Sequence, residues 1–240
     1  NRWIEAHAKE PFFLYFASHD IHVPRMPHER FQGQTPLGFR GDAIVEFDWS
    51  VGEIMKTLER LKLADNTLIV LCSDNGPVLD DGYVDGAVEK LGDHTPAGPF
   101  SGGKYSVLEG GTRTPFIAKW PARIKPGVSD EVVCTIDLAA SFAALTSTPL
   151  PENACLDSIN ILPALLGEPG AKGRDALLQQ DNNGTNLGLR MGDWKLVALP
   201  SKPWELYNLK TDRTELHDLA SQQAERVPTM AKVFEAWQKK

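Results

Sequence analysis

Apolar residues follow two kinds of pattern along this chain. Ile44, Phe47, Val51, Ile54, Leu58 and Leu61 recur alternately three and four positions apart, which paints one stripe on a cylinder and predicts an amphipathic helix over residues 44–61. Residues 12–17 (FFLYFA) and 67–72 (TLIVLC) are instead short and almost continuously apolar, the pattern of strands buried on both faces as in a parallel sheet. Residues 115–120 form a third strand candidate, and residues 136–145 read as another helix on the sheet. Strand, helix, strand in that order predicts an α/β fold, a largely parallel sheet flanked by helices. Residues 1–8 read as the last turns of a helix, stopped by Glu10 and Pro11.

From residue 174 the texture changes to short strand candidates at residues 187–191, 194–198 and 205–209, with Gly192-Asp193 as a tight-turn signal. They predict a small antiparallel sheet. A closing helix is expected over residues 222–239, with Val227, Met230, Phe234 and Trp237 on one face. The expected organisation is an α/β part over residues 1–173 and a small C-terminal α+β subdomain over residues 174–240. Residues 75–111, rich in Gly, Pro and Asp, are too long for a simple connection, and loops of that size commonly line a functional site.

Composition excludes several classes. The chain has 240 residues, 42% of them hydrophobic, and a net charge of -7 with no run of Lys and Arg, so it lacks the electrostatic footprint of a nucleic-acid binder. Its longest apolar run is about a third of what a membrane-spanning helix needs, so no membrane span is expected. Cys72, Cys134 and Cys155 show no Cys-x-x-Cys spacing, which suggests neither a disulfide framework nor a zinc site; Cys72, closing an apolar run, is expected in the core. The first residue is Asn1 with no signal-like stretch behind it, so the start reads as a cut.

Three polar clusters could carry chemistry. Ser18-His19-Asp20-Ile21-His22 follows the first apolar run, and the carboxyl ends of strands in α/β sheets are where ligands bind. Two imidazoles there could act as acids, bases or ligands, or simply cap the strand. Ser73-Asp74-Asn75-Gly76 follows the second run; Asp and Asn offer hard oxygens suited to Ca²⁺ or Mg²⁺, although the same residues are also favoured in plain turns. Gly102-Gly103-Lys104-Tyr105-Ser106 lets backbone approach a ligand closely and places an ammonium where a tetrahedral oxyanion could meet it. Asp93-His94-Thr95-Pro96 adds a histidine in the same long loop, while Asp80 and Asp81 are expected on a solvated acidic face. A histidine pair, an Asp-Asn pair and a glycine-framed lysine are together the parts that a metal-assisted hydrolase of an anionic ester requires.

On these residues the chain resembles the sulfatases of the alkaline-phosphatase superfamily, especially arylsulfatase-like members. The matching segments are PFFLYFASHDIHVP (residues 11–24), NTLIVLCSDNG (66–76), GGKYSVLEGGTRTP (102–115), and the tail motifs WKL (194–196) and ELYNL (205–209). The resemblance implies an alkaline-phosphatase-like fold and sulfuric ester hydrolysis. It implies Asp74 and Asn75 as metal ligands, usually for Ca²⁺ with Mg²⁺ as the second candidate. Lys104 is then the sulfate-binding lysine, and His22 the histidine that contacts sulfate and assists departure of the alcohol. His94 is similar to a histidine of the substrate pocket, and His19 to a supporting residue. Small-molecule or glycan sulfate esters are the implied partners, and a periplasmic, lysosomal or secreted location is implied by the same likeness. Asn183-Gly184-Thr185 also matches a glycosylation sequon.

One departure from the family pattern matters. Sulfatases use a formylglycine made from the Cys or Ser of a Cys/Ser-x-Pro/Ala-x-Arg motif, and no cysteine here lies in that context. The nucleophile, and an acidic pair completing the metal site, are therefore expected in an N-terminal part outside this sequence. The chain is expected to be the C-terminal portion of a sulfatase, inactive alone. A phosphate or phosphonate ester hydrolase of the same superfamily, or a non-catalytic binder of sulfated glycans, would use the same residues and stays open at this point.

Overall fold

The computed structural model describes residues 1–238, and the chain divides into two compact units. The first comprises Asn1–Ile69, Val78–Pro96 and Trp120–Ala122; the second comprises Val70–Pro77, Ala97–Lys119 and everything from Arg123 onward.

In the first unit α1 (Arg2–Ala6) lies against α2 (Gly38–Arg60), and Ile4 and Leu58 are buried. Helix α2 carries the apolar stripe but starts well before it, because Asp42 in its first turns gathers the preceding loop. The Asp42 carboxylate accepts the Gly33 N–H at 2.8 Å, the Thr35 N–H at 2.9 Å and the Thr35 hydroxyl at 3.2 Å. A Cβ on Gly41 would sit 2.1 Å from Thr35 Oγ1, so only glycine permits this return of the chain over the helix. Arg25, buried, ties two loop segments of the unit. Its guanidinium donates to the carbonyls of Ile21, Leu79 and Val78 and to Asp85 Oδ2 at 2.8 Å.

Residues 12–17 depart from the sequence-based expectation. They adopt no strand, and Phe13 and Tyr15 are 72% and 82% exposed. Apolar continuity dictates what a segment can bury, but a strand exists only as part of a ladder of hydrogen bonds with a neighbour, and residues 12–17 belong to neither sheet.

The second unit contains, but for Ile69, a two-stranded sheet, β1 (Ile69–Cys72) with β2 (Phe116–Lys119), and a four-stranded sheet in the order β3 (Leu177–Gln180), β4 (Leu187–Met191), β5 (Trp194–Ala198), β6 (Glu205–Asn208). All pairings in the larger sheet are antiparallel. β3 has no counterpart in the sequence reading; its Leu-Leu-Gln-Gln is too short to show a period. Cys72 is exposed rather than core, because it ends β1 where the chain turns out into the long loop.

Register places Leu189 opposite Leu196 and Leu196 opposite Leu206, so these leucines share one face by the two-residue period of a strand. There α6 (Arg226–Gln238) covers them with Met230 and Phe234, flanked by Val227 and Trp237, which is the helix face expected from the sequence. The last residue of that predicted helix, Lys239, lies outside the described residues. The opposite face carries Lys195, Val197 and Tyr207, and it too is buried. A 3-10 turn at Thr135–Asp137 runs into α4 (Leu138–Leu145), anchored by a buried pair: Arg174 donates to both oxygens of Asp137, at 2.8 and 2.5 Å. Asp137 also accepts the N–H groups of Cys134 and Ile159, so its remaining lone pairs are used.

Candidate functional site

The Asp-Asn pair and the glycine-framed lysine are drawn together by backbone hydrogen bonds within the second unit. Asp74-Asn75-Gly76-Pro77 leaves the end of β1. Gly76 donates its N–H to the Gly111 carbonyl at 2.9 Å, and Lys104 donates its N–H to the Pro77 carbonyl at 2.9 Å. The lysine loop closes on itself as well, with Gly110 N–H on the Ser101 carbonyl at 2.7 Å and Ser106 N–H on the Gly103 carbonyl at 3.0 Å. α3 (Glu109–Thr112) then leads the chain away.

Glycine is a steric requirement of this arrangement. A Cβ on Gly76 would lie 1.8 Å from the Gly110 oxygen, and one on Gly103 would lie 2.6 Å from the Pro77 oxygen. Real Cβ atoms do not approach backbone oxygens so closely, so the two segments can pair only because side chains are missing at the crossing points. Tyr105, next to Lys104, is held at a φ of 76°, a conformation that costs a non-glycine residue about 1–3 kcal/mol and is concentrated at functional sites.

Asp74 is exposed, with Oδ1 accepting the Asn75 N–H at 3.0 Å. The Asn75 amide nitrogen donates to the Gly76 carbonyl at 2.8 Å, so of its two amide atoms Oδ1 is the one with the lone pairs a cation could use. Two hard oxygens side by side would supply about a third of the ligands that Ca²⁺ or Mg²⁺ takes. Among the described residues no group of three or more His, Cys, Asp or Glu could hold a metal. Burial, then the neighbouring Asp74 charge, pushes the Cys72 thiol above its usual range, which disfavours the thiolate. Lys104 is half-buried, its ammonium 5.0 Å from the centroid of the Tyr105 ring.

His22 and His94 belong to the first unit. His22 Nδ1 lies 2.8 Å from the Val23 carbonyl, which makes that nitrogen the donor and directs Nε2 the other way, 4.0 Å from Asp81 Oδ2. Asp81 is thus half-buried beside an imidazole, not on a solvated acidic face; Asp80 is exposed as expected. His19 is exposed, 3.7 Å from Asp20. His94 sits on an exposed turn, its N–H on the Leu91 carbonyl at 3.1 Å.

Beneath the lysine loop lies a group that sequence reasoning missed. Lys195 on β5 is fully buried, its Nζ 2.9 Å from both Glu109 Oε1 and Glu215 Oε1. Glu215 Oε2 accepts the backbone N–H of Glu109 at 2.7 Å. Arg113 also pairs with Glu109 Oε2, and Arg190 lies 3.8 Å from it. Burial raises the Glu109 carboxyl, but Lys195 and Arg113 outweigh it and hold that group below the usual carboxylate range. Burial leaves Glu215 raised despite Lys195. A lysine between Trp194 and Leu196 reads as a solvent-facing strand position, and nothing in the local pattern reveals that the other face is covered too.

Comparison with known proteins bears on all of these segments. The model of the sulfatase family matches residues 1–148, and that of the C-terminal region of N-sulphoglucosamine sulphohydrolase matches residues 103–239. An N-acetylgalactosamine-6-O-sulfatase of Bacteroides thetaiotaomicron is 45% identical over 98% of this chain and 48% of its own length. Human arylsulfatase A is 37% identical over 65% of this chain and 29% of its own length. A solved structure described under the metabolism of multiple glycosaminoglycans by Bacteroides thetaiotaomicron superimposes with a TM-score of 0.94 at 43% identity, covering all of this chain and 52% of that one. The chain therefore spans about half the length of the N-acetylgalactosamine-6-O-sulfatase that it matches. No helix among the described residues is long and apolar enough to cross a membrane. With the family model covering well over half of the sequence, and a relative this similar along nearly all of it, the chain belongs to the sulfatase family.

Proposed function

We propose that this chain forms the sulfate- and metal-binding portion of a sulfuric ester hydrolase whose substrate is a 6-O-sulfated amino sugar within a glycan. The observation that carries the reading is the pairing of the Asp74–Pro77 turn with the Lys104 loop, by which the backbones that bear the carboxylate, the amide and the lysine are held side by side. The substrate class is supported by the name of the relative that is 45% identical over nearly the whole chain.

Asp74 and Asn75 would hold Ca²⁺, or Mg²⁺ in its place, and when bound the ion supplies positive charge against the sulfuryl oxygens. Lys104 offers a second positive charge to the same oxyanion, and its loop is fixed by backbone bonds, so little reorganisation accompanies charge development. His22 donates a proton to the leaving alcohol from Nε2, since Nδ1 is committed to the Val23 carbonyl. Asp81 steers that imidazole, and His94 contributes to the sugar pocket. The formylglycine nucleophile is assigned to the part of the relatives that this chain does not span.

The test is an assay of the intact enzyme on an aryl sulfate, an aryl phosphate and 6-O-sulfated N-acetylgalactosamine. Turnover of the sulfates, with the sugar preferred, is the expected result. Turnover of the phosphate alone would move the protein to the phosphatase branch, and turnover of none would make it a sulfated-glycan binder.

A further inference from the structure

The charge cluster beneath the lysine loop is more than the stability of the fold requires. Removing two carboxylates and an ammonium from water costs several kcal/mol per ion, and such clusters can often be replaced by apolar side chains without loss. What they do provide is directionality, because each group must meet its partners at fixed distance and angle.

The connections made here run from the C-terminal sheet to the lysine loop. Lys195 projects from β5 on the face opposite Leu196 and reaches Glu109 Oε1 at 2.9 Å, at the point where the loop enters α3. Glu215, downstream of β6, takes the N–H of that same Glu109. At the other end of the loop, the Ser101 hydroxyl donates to the Thr214 carbonyl. Thr112, closing α3, accepts from the Gln179 amide of β3 at 2.7 Å. Between these anchors the sheet is approached closely: a Cβ on Gly188 of β4 would come within 2.7 Å of Val107 Cγ2. The middle and the α3 end of residues 101–112 thus rest on the four-stranded sheet, and the Ser101 end rests on the segment that follows β6.

We propose that Lys195, Glu109 and Glu215 are positioning residues that set the Lys104 loop in register with the Asp74–Pro77 turn, making the C-terminal sheet a working part of the anion-binding site. This rests on the sulfatase reading for its consequence in catalysis, though not for its structural content. Lys195 never touches substrate; its effect passes through Glu109 and the backbone of Gly110 and Gly111 to Gly76.

The test compares Lys195→Met, Glu215→Gln and the double variant Lys195→Met/Glu215→Gln with the parent chain by amide hydrogen exchange, and in the intact enzyme by kcat and KM. In Lys195→Met, the amides of Gly76, Lys104 and Gly110 should exchange faster by at least about tenfold, while those of the β4–β5 and β5–β6 ladders stay within about threefold. kcat should fall more than KM rises. The double variant loses one charge of each sign, which restores charge balance but not the directed contacts, so its loop amides should exchange at least as fast as those of Lys195→Met; recovery of parent-like protection would show that charge balance, not positioning, is what the cluster supplies. Loop exchange that is unchanged, or that rises in step with the ladders, would overturn the positioning role. If Lys195→Met does not fold, Glu215→Gln alone gives the same readout at milder perturbation. An intact enzyme that cleaves no sulfate ester refutes the proposed function while leaving the exchange result to decide this inference by itself.

Discussion

Lys104 donates its backbone N–H to the carbonyl of Pro77 at 2.9 Å, so the residue proposed to bind sulfate is stitched to the turn proposed to bind metal. Neither side chain function depends on that bond, yet both depend on the separation it imposes. The same crossing has no room for a methyl group at Gly76, Gly103 or Gly111.

Gly111→Ala is therefore expected to force the loop apart, since the added Cβ would meet the Ser106 oxygen at 2.1 Å. Overpacking of this kind costs about 1–3 kcal/mol, to be read by chemical denaturation of the chain. Wild-type stability in this variant would show that the loop yields easily.

In the intact enzyme, Lys104→Ala should lower turnover of an aryl sulfate by two to three orders of magnitude, about the 3–4 kcal/mol typical of a lost oxyanion contact. Unchanged kcat would remove Lys104 from the site. Asp74→Ala should weaken Ca²⁺ binding in a direct metal titration, and normal occupancy in that variant would refute the ligand assignment.

Acid should loosen the Glu109 anchor. Its carboxyl is held below the ordinary value of 4.5 in the folded chain, so the stability it contributes is complete above that pH and is lost as pH falls through the lower folded value. Denaturation of the parent chain and Glu109→Gln at pH 7 and at pH 3 measures this. The gap between the two should be larger at pH 7, and a gap that widens in acid would contradict the sign.

Asp137→Ala leaves Arg174 with its pair removed in a site where the aspartate is fully buried. Breaking a buried pair by deleting one partner costs about 3–5 kcal/mol, so the variant should melt far below the parent, measurable by thermal unfolding. A shift of only a degree or so would mean that water reaches the arginine.

The parts of the fold that could be read in advance are those in which local pattern and burial agree. The helix stripe from Ile44 to Leu58 lies on α2, and β4 and β5 occupy the residues that alternation and the Gly192-Asp193 turn marked out. The two segments that misled are informative. Residues 12–17 have the apolar content of a central strand but take no place in a sheet, and Lys195 has the polarity of a surface residue but is fully buried.

What the linear sequence determined by itself was chemical kind: hard oxygens at Asp74 and Asn75, an ammonium framed by glycines at Lys104, imidazoles at His22 and His94, and enough likeness to place the chain among the sulfatases. Only the tertiary structure decided which of these meet through backbone bonds and what supports them. Periodicity reports which face of an element is apolar, whereas the approach of two loops at crossing points without side chains, and the convergence of Lys195, Glu109 and Glu215, join residues up to 106 positions apart. No local pattern encodes a contact over that span, because it exists only once the four-stranded sheet has formed beneath the loop.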